Sequence, residues 1–476
     1  MDRSFQLPRD EAEKDFRWLF RLLTFLCAIG ILLLASVIHR GDGPLTVPRP
    51  QTEAEYRRAS IYVLQADAIL KGQPWLALEP SDELQALENP YDPAARRSVP
   101  YRWDFAYRDG RYYCYFGVAP VLLLYLPFYA ATGSFPTVLL ANVVFSVAAV
   151  FCFAFLFWEF RRFLFPRAPR WLILFALPCM IATVGIPYAV GFADMYYLPV
   201  ISAMLFSFLF YGLLLRGLER RGTLQRVLFA CAALVLTLVV LSRPSAALMC
   251  MAAFPFGIWF LRQPQKKGEK LRGMLAFGIP LLIGAGAVMA WNAARFGSPL
   301  DFGATYQLTV SDISQNHLRP DLFRAAMESY FAPNLRFSAK DVLFEISPAA
   351  IRAQVYRDAS CGVLAFPIVC GAVLSVFLCR PNRRGVARLW SGAVVLLAVI
   401  LAWFDFCTGG VNLRYVLDIL PALAVCGCVS ALSFAGERRH GATRTAVAIL
   451  LAAVLAAGVF HATGVRVFAE FRGLFA

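Results

Sequence analysis

Charge is scarce in this sequence. Asp, Glu, Lys and Arg make up 16% of its 476 residues, where an ordinary soluble chain carries about 25%. Histidine is scarcer still. Only His39, His317, His440 and His461 occur among the four, which argues against imidazole catalysis as the theme, and His317 reads as a plain loop residue. No CxxC pair or Cys/His ligand spacing is present, so neither a zinc site nor a disulfide framework is implied. Nucleophile elbow and P-loop patterns are missing too. The twelve cysteines mostly sit inside apolar runs (Cys27, Cys152, Cys179, Cys231, Cys250, Cys370, Cys426 and Cys428 among them), where they act as small hydrophobes.

What is abundant is hydrocarbon. The hydrophobic share is 59% and the mean hydropathy is +0.59. Apolar runs of about 20 residues recur along the chain, the length that crosses a bilayer. The net charge of +15 does not point to nucleic acid. Its arginines lie in short stretches between apolar runs, as topology determinants do, and no basic face with interleaved aromatics stands apart from them.

The first run, 18–38, is too long for a signal-peptide core and lacks a small-residue cleavage site, so it reads as a retained anchor. Further runs occupy 137–158, 171–188, 195–215, 226–241, 245–261, 273–291, 362–379, 388–404, 412–433 and 445–464. Residues 117–132 are apolar but short, and Pro120 and Pro127 interrupt them. If they spanned, the basic loops 161–170 and 380–388 would fall outside. If they lie along the interface, every basic loop falls inside, which the charge rule for short loops prefers. The expectation is an all-α, polytopic bundle of about eleven spans, with a cytoplasmic N-terminus and an external C-terminus. Its parts are 1–38 (tail and first span), 39–136 (first external loop with interfacial helices), 137–291 (six spans), 292–360 (second external loop) and 361–476 (the last spans).

Candidate site residues gather at the external boundary. The stretch Tyr101–Pro120 interleaves aromatic rings, Tyr112 and Tyr113 included, with Arg102, Asp104, Arg108, Asp109 and Arg111. Two readings stand open: an ordinary aromatic belt, or a cleft whose rings cover sugar C–H faces while its charges bind hydroxyls and phosphates. Upstream, Tyr62–Trp75 reads as an amphipathic helix closed by Gly72, with Asp67 in its middle. Asp194 lies in a very short connection between two runs, where an acid needs a partner or a cavity; it either contacts substrate or caps the next helix. Arg414, just past Gly409-Gly410, either clamps a phosphate or pairs with Asp418 four residues on. Arg243, at the tip of a short helix pair, and Arg295 could contribute similarly, with Asp301 as an alternative partner for Arg295.

The phrases YVLQADAILKGQPW, NPYDP, DFAYRDGRYYCYFGVAPVLLLYLPFYAATG, GFADMYYLPV, WNAARFGSPLDFG and NLRYVLDILPAL, together with the order of anchor, long external loop, helical bundle and second external loop, resemble the GT-C superfamily of integral membrane glycosyltransferases. The resemblance covers most of the chain and is mainly architectural. It implies transfer of a sugar from a polyprenyl-phosphate donor to a lipid, glycan or protein acceptor, on the outer face of a bacterial cytoplasmic membrane. An acid of the first external loop would then be the general base, fixed cations would hold the lipid phosphate, and a divalent cation (Mg or Mn) is admitted near Asp194. One departure is plain. The adjacent acidic pair of many members would fall at Ala59-Ser60, so the base must lie elsewhere, at Asp104 first and Asp67 second. A transporter or flippase of a lipid-linked or small solute is the rival class; it would place charges near mid-membrane on broken helices and show internal repeats.

Overall fold

The computed structural model describes residues 11–337, 342–373 and 383–435, with 445, 449 and 451–457. Among them, nine helices are long and apolar enough to cross a membrane: Glu13–Ile38, Val138–Leu164, Arg170–Phe192, Tyr197–Leu218, Gly222–Ser242, Pro244–Arg262, Lys267–Phe296, Gly385–Gly409 and Leu413–Ala435. They are the first to ninth spans below. The protein is a multi-pass helical membrane protein. Of the eleven expected runs, 445–464 lies largely outside the described residues, and 362–379 is described as far as 373, as tight turns at Val363–Ala365 and Pro367–Val369 followed by helical residues 370–373.

The third, fourth and ninth spans form the interior, with most of each apolar stretch covered by neighbours, whereas the seventh is largely bare. Leu282 on the seventh span is 73% exposed, as is Phe254 on the sixth. Bare leucine and phenylalanine on long apolar helices are lipid-facing surface. The third span is broken at Gly185, whose φ of 97° separates Arg170–Thr183 from Ile186–Phe192. A side chain there would also collide with Leu417, 2.4 Å away. Glycine therefore serves both the kink and the close packing on the ninth span.

Ion pairs gather one end of the bundle. Glu13 binds Arg161 at 3.0 Å and Arg170 at 3.4 Å, and Arg162 binds Glu219 at 3.0 Å. At the other end, His39 Nε2 donates to the Val190 carbonyl (2.7 Å) and the Tyr62 hydroxyl to that of Met195 (2.9 Å). Both long loops lie at this second end.

The first loop is short helices and short strands. β1 (Thr46–Pro48) pairs antiparallel with the strand Ser134–Pro136, tying the loop's beginning to its end. β2 (Ala106–Arg108) and β3 (Arg111–Tyr113) form a hairpin, turning through Asp109 (φ 50°) and Gly110 (φ 69°), the dipeptide favoured for a two-residue turn. Residues Val121–Thr132 form a helix that opens with a wide turn at Val121–Tyr125. At 1.5 Å per residue it is roughly 18 Å long, well short of the hydrocarbon core of about 30 Å. The second loop docks on the first through its backbone. Asp104 N donates to the Leu308 carbonyl and Leu308 N to that of Phe105, both at 3.0 Å.

Candidate functional site

Asp104 stands where the two loops meet. Its φ is 55°, a left-handed conformation that Asp tolerates better than most side chains but at a cost. The docking bonds to Leu308 hold it there. Its carboxylate is buried, 5% exposed. Oδ2 accepts a short hydrogen bond from the Tyr196 hydroxyl, while Oδ1 has no donor among the described residues.

Tyr196 opens the fourth span, and Asp194 sets its position. Asp194 Oδ1 accepts from the backbone N–H of Tyr196 (2.8 Å) and Tyr197 (3.1 Å), a side-chain turn that leads into the helix two residues ahead of its N-cap position, Tyr196. Burial pushes the Asp194 carboxyl above its ordinary range, against the lowering effect of those two bonds and of Arg414. Tyr196 is raised as well, by burial and then by its bond to Asp104. Arg414 begins the ninth span, where Asn412 Oδ1 receives its backbone N–H at 3.0 Å. Its guanidinium lies 4.3 Å over the Tyr196 ring and 5.1 Å from that of Tyr415. The structure thus brings Asp104, Asp194 and Arg414 together around one tyrosine.

Two cavities of about 660 Å³ each meet at that point, sharing Tyr196, Gln307, Arg414 and Tyr415 as their wall. One is mostly apolar, lined by Tyr115, Phe116, Val240, Leu241, Val288 and Trp291, with Arg243, Arg295 and Arg414 as its cations. The other is polar and holds Asp104, Asp194, Asn316, His317, Asp358 and Asn412.

The other expected residues have defined partners. Arg243 grips Asp418 through Nε (2.6 Å) and Nη2 (2.7 Å), and Ser245 Oγ adds a bond at 3.0 Å. Asp418 therefore pairs with Arg243 rather than Arg414, and Arg414 makes no ion pair among the described residues. Asp418 and its pull raise the Arg243 guanidinium despite its burial. Arg295 donates to the Cys114 carbonyl (2.7 Å) and to Asn292 Oδ1 (2.8 Å), while Asp301 accepts from Gly303 N.

Asp67 lines neither cavity. It is fully buried and bound by Arg49 (2.6 Å), Tyr56 (2.8 Å) and Lys71 (2.9 Å). Burial alone would raise its carboxyl, but the bonds from Lys71, Tyr56 and Arg49 outweigh it and hold it below the usual range. A carboxylate so held is a poor proton acceptor. Arg102 donates to the Arg57 and Ala59 carbonyls, Tyr112 accepts the Arg102 backbone N–H at 3.2 Å, and Tyr113 packs on Phe296 with ring centres 5.5 Å apart. These three brace the loop and line neither cavity.

Asp104 and Asp194 are the carboxylates that would have to hold a divalent cation at this wall, and Asp194 has one oxygen committed to the backbone of Tyr196 and Tyr197. Among the described residues no cluster of three His, Cys, Asp or Glu could hold a metal. Sequence reasoning missed Tyr196 as the hub and Tyr115 and Gln307 as cavity walls. Tyr196 carried one signal, its place two residues after an acid in a very short connection between apolar runs. Compared with family models, with curated proteins and with solved structures, the chain matches none.

Proposed function

We propose that this protein is a membrane glycosyltransferase of the GT-C type, working on the outer face of a bacterial cytoplasmic membrane with a polyprenyl-phosphate sugar as donor. One observation carries the reading: an apolar cavity with cations and a polar cavity with carboxylates share a wall at Tyr196 and Arg414, with Asp104 bonded to Tyr196 on the polar side. The prenyl chain suits the first and the acceptor the second, so the scissile bond falls at the wall.

In this scheme the acceptor hydroxyl donates to Asp104 Oδ1, the carboxylate oxygen without a donor among the described residues. Asp104 takes the proton as the hydroxyl oxygen attacks the anomeric carbon. The bond from that carbon to the phosphate oxygen breaks, and the electron pair leaves with the phosphate. Arg414, which makes no ion pair among the described residues, stabilises the charge that develops there. Tyr196 holds Asp104 in place and supports Arg414 on its ring face. No step uses a metal.

The test is transfer by purified protein, in vesicles, from a panel of polyprenyl-phosphate sugars, read as release of free polyprenyl phosphate. Release that depends on Asp104 and Arg414 is expected. Absence of release with every donor would sink the proposal.

One observation favours a second reading. Asp405 and Asp418 are buried acids inside spans, and Asp405 Oδ2 has no donor among the described residues. Ionisable groups at such depth serve transport in many membrane proteins. Movement of a lipid-linked sugar across vesicles, lost in Asp405→Asn and kept in Asp104→Ala, would establish a flippase instead.

A further inference from the structure

A third large cavity, of about 590 Å³, lies at the far end of the bundle from the site above, between the first, second and fourth spans. Six arginines line it: Arg17, Arg21, Arg161, Arg162, Arg216 and Arg220. Three carboxylates serve them. Glu13 is shared by Arg161 (3.0 Å), Arg170 (3.4 Å) and Arg17 (3.6 Å). Glu159 is shared by Arg162 (3.2 Å) and Arg216 (3.6 Å), and Glu219 binds Arg162 at 3.0 Å. The cations outnumber the anions, and Arg21 and Arg220 have no ion pair among the described residues. Two guanidinium nitrogens in the wall, Arg161 Nε and Arg220 Nε, are buried without an acceptor. Arg161 itself is only 9% exposed.

Such an excess of positive charge at a membrane boundary, buried at Arg161 and half-buried at Arg162, Arg216 and Arg220, calls for an anion. The walls indicate which kind. The Trp158 ring lies under Arg161 (4.8 Å) and Arg17 (6.0 Å), and Phe155 under Arg216 (5.4 Å). Deeper along the same helices the lining turns to Phe20, Phe25 and Phe151, and Phe25 is 59% exposed. Guanidinium groups above an apolar groove between spans match a phosphodiester with an acyl chain below it; a free anion would leave the groove unfilled. Basic pockets between membrane helices are known sites for acidic headgroups, and arginine forks suit phosphate oxygens.

We propose that this cleft binds the headgroup of an anionic phospholipid from the leaflet on the arginine side. This site is independent of the glycosyltransferase reading, since it shares no residue with the other two cavities. Binding there adds an anion-mediated tie between the first span and the bundle to the ion pairs of Glu13 and the packing of Phe16 and Phe20 on the second span.

The experiment uses the full-length protein in detergent, washed free of lipid and followed by native mass spectrometry. Added phosphatidylglycerol should be retained roughly tenfold better than phosphatidylcholine, and Arg21→Gln with Arg220→Gln should abolish that preference. Arg221→Gln, outside the cleft at the same end, should not. Equal retention of the two lipids overturns the proposal, as does a preference that survives the double variant. Displacement by inorganic phosphate at comparable concentration would show a free-anion site and overturn the lipid assignment. If the double variant fails to fold, the wild type still decides the matter. Phosphatidylglycerol with a photoreactive acyl chain should cross-link to peptides of 11–38 and 138–164, and labelling confined to other segments refutes the cleft.

Discussion

Asp104 combines a backbone conformation that side chains seldom adopt with a buried oxygen that has no donor among the described residues. The left-handed conformation costs about 1–2 kcal/mol, and strain of this kind persists where the surroundings over-determine it, often at working sites. If Oδ1 accepts the acceptor's proton, Asp104→Asn keeps the shape and loses the base. Transfer should then fall by about 10²–10⁴ while the thermal midpoint stays near that of the wild type; turnover within a few-fold of wild type would remove Asp104 from the mechanism. Asp67 supplies the contrast. Its folded carboxyl titrates below its unfolded value, so its contribution to stability is present above an unfolded pKa of about 3.9 and is lost as pH falls through the lower, folded one. Asp67→Asn should cost about 3 kcal/mol, near the bottom of the range for breaking a buried pair because Arg49 and Lys71 are partly exposed. It should also flatten the acid limb of the melting profile, yet leave turnover per folded molecule unchanged. A melting curve of Asp67→Asn that parallels wild type from neutral pH down to about 3 would contradict this. Residue chemistry was partly legible in the sequence. The Asp67–Lys71 pair stands at helical spacing and could be read off, but Arg49 and Tyr56 arrive from other segments. The convergence on Tyr196 depends on three separate elements, so no local pattern announces it.

Long helices were the most legible elements, because twenty apolar residues leave little choice in a bilayer. Their ends were less so. The run 273–291 belongs to a helix spanning Lys267–Phe296, since Lys267, Glu269 and Lys270 extend it with polar turns that hydropathy does not register. The hairpin at Asp109-Gly110 was legible from its turn residues but is overshadowed by the aromatics around it. Close packing between elements was not legible at all. Gly117 shows why: a Cβ there would lie 2.1 Å from the Ser242 carbonyl oxygen and 2.3 Å from that of Leu241. These are backbone atoms at the end of the fifth span, so a rotamer change cannot make room. Gly117→Ala should push the first loop off that helix end and widen the apolar cavity at Arg243. The expected readout is lower thermal stability by about 1–3 kcal/mol, the usual range for overpacking, with a raised KM for the prenyl donor. Wild-type stability and KM in Gly117→Ala would mean that the loop does not rest on the fifth span in the membrane.

For the molecule as a whole, the decisive question is which end faces which side. Antiparallel spans carry Glu13, Arg161, Arg170 and Glu219 to one end, where they pair, and both long loops to the other. Short loops rich in arginine stay cytoplasmic, so the arginine end is expected inside and the two large cavities outside. The Val121–Thr132 helix is what makes this parity hold. Were it a span, the loop after the second span would join the first loop on the outer side. Its length is a little over half of what a crossing needs, and Leu122 and Leu123 remain exposed on it, as befits a helix lying on lipid. Single cysteines at Arg57 and at Arg97, in the first loop, should therefore react with a membrane-impermeant maleimide from outside, and one at Arg167 only after permeabilisation. The native cysteines must be replaced first; eleven described ones are free thiols, mostly within spans. Labelling of Arg167→Cys from outside, alongside Arg57→Cys, would turn the interfacial helix into a span. It would also move the lipid cleft to the outer leaflet, and with it the leaflet from which its phospholipid is drawn.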